Sequence, residues 1–412
     1  MLHKKLITLL TLVFFLASFG VTFAFWASSI QGNTQVGSGL VNIGTWLPPG
    51  WTGVTQTGGS PNITLNQIGT EGYPMSGNYV LMSDINWGGA FTPLGYDPVT
   101  QTTTPFTGEF RGNGYSISNV TITSSGAYDY AGLFARNNGL IEGVSLINIT
   151  VSHVRSINGP TTSLLFGGAL AGENQANGVI LNSYVGGTSS VNVSLSLTNT
   201  TANGTQAATA YSGGLVGQNL GSIIESHAHA TVSAHASTET TRPNSGGTAL
   251  SFAGGLVGIN NNANGILNTY ATGNVTASAN ISRTNNNSAS TANTHAGGLV
   301  GRNLAANSGV SNSFATGNVT ATITSSNADT RINYYGGLIG LGGSTSSFRR
   351  TGQTLTPTIT PTGGTNTLNS TGEPRGDTDF RLQSWVTSNL LWSTDSWTFD
   401  GTNYPRLIDN KY

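Results

Sequence analysis

Between residues 191 and 198 the apolar Val191, Val193, Leu195 and Leu197 are interleaved with Asn192, Ser194, Ser196 and Thr198. This period of two predicts a strand with one buried face. Ala228, Ala230, Val232 and Ala234 alternate in the same way with His227, His229, Thr231, Ser233 and His235. Beyond the first thirty residues no helical period is visible. The blocks Ala131-Gly-Leu-Phe-Ala, Gly167-Gly-Ala-Leu-Ala-Gly, Gly213-Gly-Leu-Val-Gly, Gly254-Gly-Leu-Val-Gly, Gly297-Gly-Leu-Val-Gly and Gly336-Gly-Leu-Ile-Gly recur at spacings of 36, 46, 41, 43 and 39 residues. Between them lies a second element: Ile180-Leu-Asn-Ser-Tyr, Ile223-Ile-Glu-Ser-His, Ile266-Leu-Asn-Thr-Tyr and Val310-Ser-Asn-Ser-Phe. A strand-and-turn unit of this size cannot bury its apolar face alone, so it must stack on its neighbours at about 4.8 Å. The pattern therefore predicts an all-β parallel solenoid, with Leu256 inside and the polar inserts between repeats forming strand extensions that widen one sheet.

The ends read differently. Lys4 and Lys5 precede an uncharged, largely apolar run from Leu6 to Ala24, which predicts a secretory signal over 1–24, with an uncleaved membrane anchor as the alternative. Residues 25–67 are expected to form an extended capping segment, 68–345 the solenoid, and 346–376 a Thr/Pro/Gly linker. A Trp-rich segment, 377–412, with Trp385, Trp392 and Trp397, is expected to fold back as the terminal cap, because an open solenoid end must be covered.

Composition narrows the function. Fifteen Lys and Arg against 16 Asp and Glu, a net charge of −1, leave no basic patch able to neutralise a phosphate backbone, so nucleic acid is not an expected partner. With no Cys, disulfides, thiolate metal sites and Cys nucleophiles are excluded. Between residues 180 and 328 the only carboxylates are Glu225 and Glu239, whereas an acid–base pair or a calcium site needs them clustered. Neither a His-Glu-x-x-His, a Gly-x-Ser-x-Gly nor a Walker-type phosphate loop is present. His227, His229 and His235 share one predicted strand face and could in principle hold zinc or copper. The preferred reading is an ordinary solvent-facing strand, with no metal and no cofactor.

The repeats resemble GLUG-motif proteins, whose Gly-Gly-Leu-Val-Gly followed by Ile-x-Asn-Ser-Tyr-Ala-Thr-Gly-Asn-Val is nearly intact here. The resemblance covers residues 68–345 and 377–407. It implies a right-handed parallel β-helix on a secreted or surface-displayed bacterial or archaeal protein. The stretch from Phe23 to Ile43 also resembles the processing region of camelysin-type biofilm-matrix proteins. Aligned on the motif, the second element gives outward ladders: His229, Thr272 and Thr316; Thr231, Asn274 and Asn318; Ser233, Thr276 and Thr320. All of these except Ser233 are the candidate ligand-binding residues. The expected function is a non-enzymatic, exported, adhesin-like protein of the cell surface or extracellular matrix. It would bind polysaccharide, a host or neighbouring cell surface, or copies of itself, and would touch membrane only through an uncleaved N-terminal segment. The alternatives are a carbohydrate-active β-helix enzyme (lyase or hydrolase) and an ice-binding solenoid.

Overall fold

In the computed structural model, residues 47–124, 128–284, 288–305, 309–326 and 330–408 are described; the expected signal and the camelysin-like stretch lie outside them. Among the described residues the chain is a parallel β-helix whose strands form sheets of eight, fifteen, seven and six. A representative coil runs Ser222–Ile224, His227–Ala228, Thr231–Thr240, Gly247–Gly254 and Val257–Asn260, and each strand pairs in parallel with its counterpart one repeat on. No helix among these residues is long and apolar enough to cross a membrane.

The repeat motifs explain the coil. Leu133, Leu170, Leu215, Leu256, Leu299 and Leu338 are all buried in one continuous core, the interior position that the Gly-Gly-Leu-Val-Gly block predicts. The paired glycines are there for close approach: a Cβ on Gly254 would lie 2.0 Å from the Val257 carbonyl oxygen, and one on Gly255 would lie 2.1 Å from that of Gly298. Two residues past each of the first five blocks, Asn137, Asn174, Asn219, Asn260 and Asn303 form a buried ladder. The Nδ2 of each of the first four donates to the Oδ1 of the next coil's asparagine at 2.8–2.9 Å, and that of Asn303 to the Gly343 carbonyl at 2.8 Å. A buried amide with both ends satisfied fixes the coil-to-coil register.

The Asn of the second element has its own reason. Asn182, Asn268 and Asn312 adopt φ of 47–54°, the left-handed region that Asn tolerates better than most residues. Glu225 occupies the same position with φ 47°. Glu225→Asn is accordingly expected to stabilise the fold by about 0.5–1 kcal/mol, read as a higher urea midpoint at unchanged slope.

The polar inserts are strand extensions, as expected, but they build a second layer as well as widening a sheet. Strands such as Ser190–Asn199 and Thr231–Thr240 lie against Gln206–Gly213 and Gly247–Gly254. Val191, Val193, Leu195, Ala208, Ala234 and Ala249 are fully buried between them.

Two expectations about the ends need correcting. Residues 346–376 are not a linker: Phe348–Arg350, Leu355–Thr360, Thr365–Leu368 and Glu373–Arg375 pair in parallel with the preceding coil. An exposed strand edge supplies backbone partners whatever the side chains are, so a Thr/Pro/Gly-rich run can still add a rung. Likewise Trp51–Val54, in the expected extended segment, already pairs with Asn78–Leu81 as the first rung. The Trp-rich segment folds back as a strap along the flank of the coils. Phe380, Val386, Leu390, Trp392 and Trp397 form a second apolar cluster with Tyr270, Phe314 and Phe348. The strap is pinned by hydrogen bonds from Tyr270 Oη to the Pro405 carbonyl at 2.7 Å and from Trp392 Nε1 to the Asn312 carbonyl at 2.8 Å.

Candidate functional site

The strap decides what happens to the histidines. His227 lies in a stack that runs Tyr184, His227, Tyr270, Phe314, with ring centroids 4.5–4.8 Å apart, and Trp397 approaches it at 5.8 Å. It is 3% exposed, and burial holds its pKa well below the ordinary value. Instead of facing solvent, it is a rung of an aromatic ladder under the strap. His229 Nδ1 lies 2.6 Å from Thr272 Oγ1, and its pKa is lowered to about 4 by burial. His235 Nδ1 is bonded to Ser278 Oγ at 2.7 Å. Among the described residues no group of three or more His, Asp or Glu is placed to hold a metal ion.

The remaining ladder positions divide into two kinds. Thr316 is 4% exposed, and Arg350 Nε donates to its carbonyl, so this residue is not outward-facing as its row predicts. The C-terminal strap explains the difference, since the Tyr404 hydroxyl reaches the Thr316 side chain. Asn274 and Asn318 are at the surface, but their Oδ1 atoms accept the backbone N–H of Asn318 and Thr354 in the following coils at 3.0 and 2.9 Å. They hold coils together. Thr231 and Thr276 are exposed and Thr320 is half-buried, and the last two lie side by side in register.

That register continues into a broader surface than the predicted rows. On the outer face of the extension, Asn192, Ser233, Thr276, Thr320 and Thr356 form one row. Ser194, His235, Ser278, Thr322 and Thr358 form the next, and Ser196, Ser237, Asn280, Thr324 and Thr360 a third. Strand spacing and side-chain alternation set a grid of hydroxyls and amides about 4.8 Å by about 6.8 Å. Some neighbours bond along the rows: Ser233 Oγ donates to Asn192 Oδ1 at 2.7 Å, and Ser237 Oγ to Ser196 Oγ at 2.9 Å. Such a wall presents donors and acceptors at fixed intervals with almost no charge, Glu239 being its exposed carboxylate. The other carboxylate of this region, Glu225, sits at a coil corner, outside the grid.

Sequence reasoning also missed a cleft. Before the first full repeat, Ile85–Ala90 slips register against Ser116–Ser124, and a hairpin, Tyr96–Asp97 with Thr102–Thr103, leaves the coil. Between these and the 68–75 loop lies a cavity of about 730 Å³. Trp87 and Tyr96 line it, and neither falls within a recurring block.

Residues 292–320 match the family described as the GLUG motif. No curated protein matches the chain. A crystal structure described as "a putative immunoglobulin A1 protease from Bacteroides ovatus" aligns with a TM-score of 0.46 at 17% identity, covering 80% of this chain and 85% of that one.

Proposed function

We propose that this chain is an exported, non-enzymatic protein of the cell surface or extracellular matrix, adhesin-like, and that its wall of hydroxyls and amides binds polysaccharide. The observation carrying the reading is the wall's regularity: three rows held in register over five successive strands. A repeating polar polymer can meet such a grid many times, and contacts that are weak singly become strong together. Burial of His153, His227 and His295 and dispersal of the carboxylates support a binding role over a catalytic one.

Replacing Thr276, Asn280, Thr320 and Thr324 together by Ala removes outward groups and leaves the interior untouched. Each lost hydrogen bond is worth about 1 kcal/mol, so three engaged ones would lower affinity for insoluble polysaccharide roughly a hundredfold, measured by pull-down. Melting should move little. Replacing Asn274 and Asn318 by Ala should instead lower stability, because two backbone amides lose their acceptors. Retained binding in the first variant would remove the wall from the proposal.

A second reading has one specific observation behind it. Thr320, Thr322 and Thr324 lie beside Thr356, Thr358 and Thr360 in register, a hydroxyl array that could order water as ice does. Thermal hysteresis in the wild-type chain, lost in Thr322→Glu, would select this reading over polysaccharide binding.

A further inference from the structure

The cleft before the first repeat has the chemistry of a ligand site. Its floor includes Ile68, Met75, Phe91 and Leu94, all buried. Trp87 is half-buried at its side, with its indole N–H already donated to the Ala90 carbonyl at 2.8 Å and Phe91 set edge-on at 5.0 Å. The ring is held still, and it offers the cleft apolar surface instead of a donor. Tyr96 packs against Tyr128 at 4.1 Å.

The rim is polar and negatively charged. Asp97 accepts from Val99 N at 2.8 Å and from Thr100 Oγ1 at 2.7 Å, bonds that keep it ionised and its pKa low. A carboxylate has about four acceptor positions, so capacity remains for a ligand. Glu71, Thr92 and Thr104 are exposed at the same mouth. Among the described residues no Lys, Arg or His lines the cleft, so uronates, phosphates and sulfates would meet the carboxylates of Glu71 and Asp97. A cation would satisfy the carboxylates but leave the threonine hydroxyls and the Asn66 amide N–H groups with nothing to donate to. An uncharged sugar answers both: its hydroxyls donate and accept, and its C–H face lies on an aromatic ring.

The geometry points to a binding site for a short uncharged saccharide in this cleft, held by Trp87 and Tyr96 through ring contact and by Asp97 and Glu71 through its hydroxyls. The site is separate from the hydroxyl wall and does not rest on the reading given to that wall.

The test is calorimetric titration of the full chain with three soluble neutral probes: cellotetraose, maltotetraose and tetra-N-acetylchitotetraose. Tetragalacturonate and choline serve as the anionic and cationic comparisons. At least one neutral probe should bind with one-to-one stoichiometry. Trp87→Ala should weaken it tenfold or more. Glu71→Gln with Asp97→Asn, both at exposed positions that leave the core alone, should weaken it several-fold. The four-residue wall variant should bind as wild type does. The assignment is overturned if none of the three neutral probes binds, if tetragalacturonate or choline binds in their place, or if the carboxamide double variant and Trp87→Ala both bind like wild type.

Discussion

Leu256→Asp is expected to lose most of its folded stability. Leu256 is fully buried in the leucine column that runs through every coil, and its backbone bonds to Leu299 and Leu215 at 2.9 Å leave no slack for the side chain to turn outward. An unpaired carboxylate there costs about 3–5 kcal/mol beyond the lost apolar contact. The melting temperature should drop on the order of 10 °C or the chain should fail to accumulate. Leu256→Met keeps volume and polarity and should cost less than about 1.5 kcal/mol, separating charge from mere substitution. An unchanged midpoint for the aspartate chain would place this column outside the core.

Acid should unfold the protein earlier than its few carboxylates suggest. Burial lowers the pKa of His295 to about 3 and that of His153 to about 4, and holds His227 low as well. In the unfolded chain each would titrate near 6.5. Above pH 6.5 the histidines are neutral in both states and make no pH-dependent difference. As pH falls below 6.5 the unfolded chain takes up protons that the folded one refuses, so stability is lost progressively until the folded pKa is reached. At pH 5 this amounts to on the order of 2 kcal/mol for each fully buried histidine. His295 stacks between Phe252 and Tyr334 at 4.4 and 4.8 Å, with Arg302 the charge that acts on it. His295→Phe would continue that ladder without a proton site. Urea midpoints at pH 8 and pH 5 should therefore lie closer together in His295→Phe than in wild type. Equal declines in the two chains would show that burial of His295 does not control the acid response.

The features legible in the sequence were those set within one repeat. The Gly-Gly-Leu-Val-Gly block places Leu256 inside because sterics at Gly254 and Gly255 and the apolar column are properties of a coil and its neighbour. The alternation over Val191 to Thr198 likewise shows which face is buried. Features set across many coils were not legible. His227 alternates like a surface residue, and only a segment more than 150 residues away covers it. Thr316 is hidden for the same reason. Residues 355–360 alternate too, but Pro357 and the flanking threonines masked a strand whose backbone partners come from the previous coil. The cleft escaped notice because it arises where the repeat is interrupted, and a search for periodicity passes over interruptions.

The strap also limits how the gene can change in length. Arrays of near-identical repeats gain and lose units by unequal recombination, and most coils here would tolerate it, since each meets only its neighbours. The strap does not. It leaves the last rung at Arg375 and must arrive at Tyr270, Phe314 and Phe348 in fixed order, with Pro405 opposite a tyrosine 135 residues earlier. One coil added or removed between Tyr270 and Arg375 would displace Tyr270, the partner of Pro405, by about 4.8 Å relative to the strap's departure point and break its docking. Coils before residue 179 carry no such measure, so variation in repeat number among related chains should be confined to that upstream part.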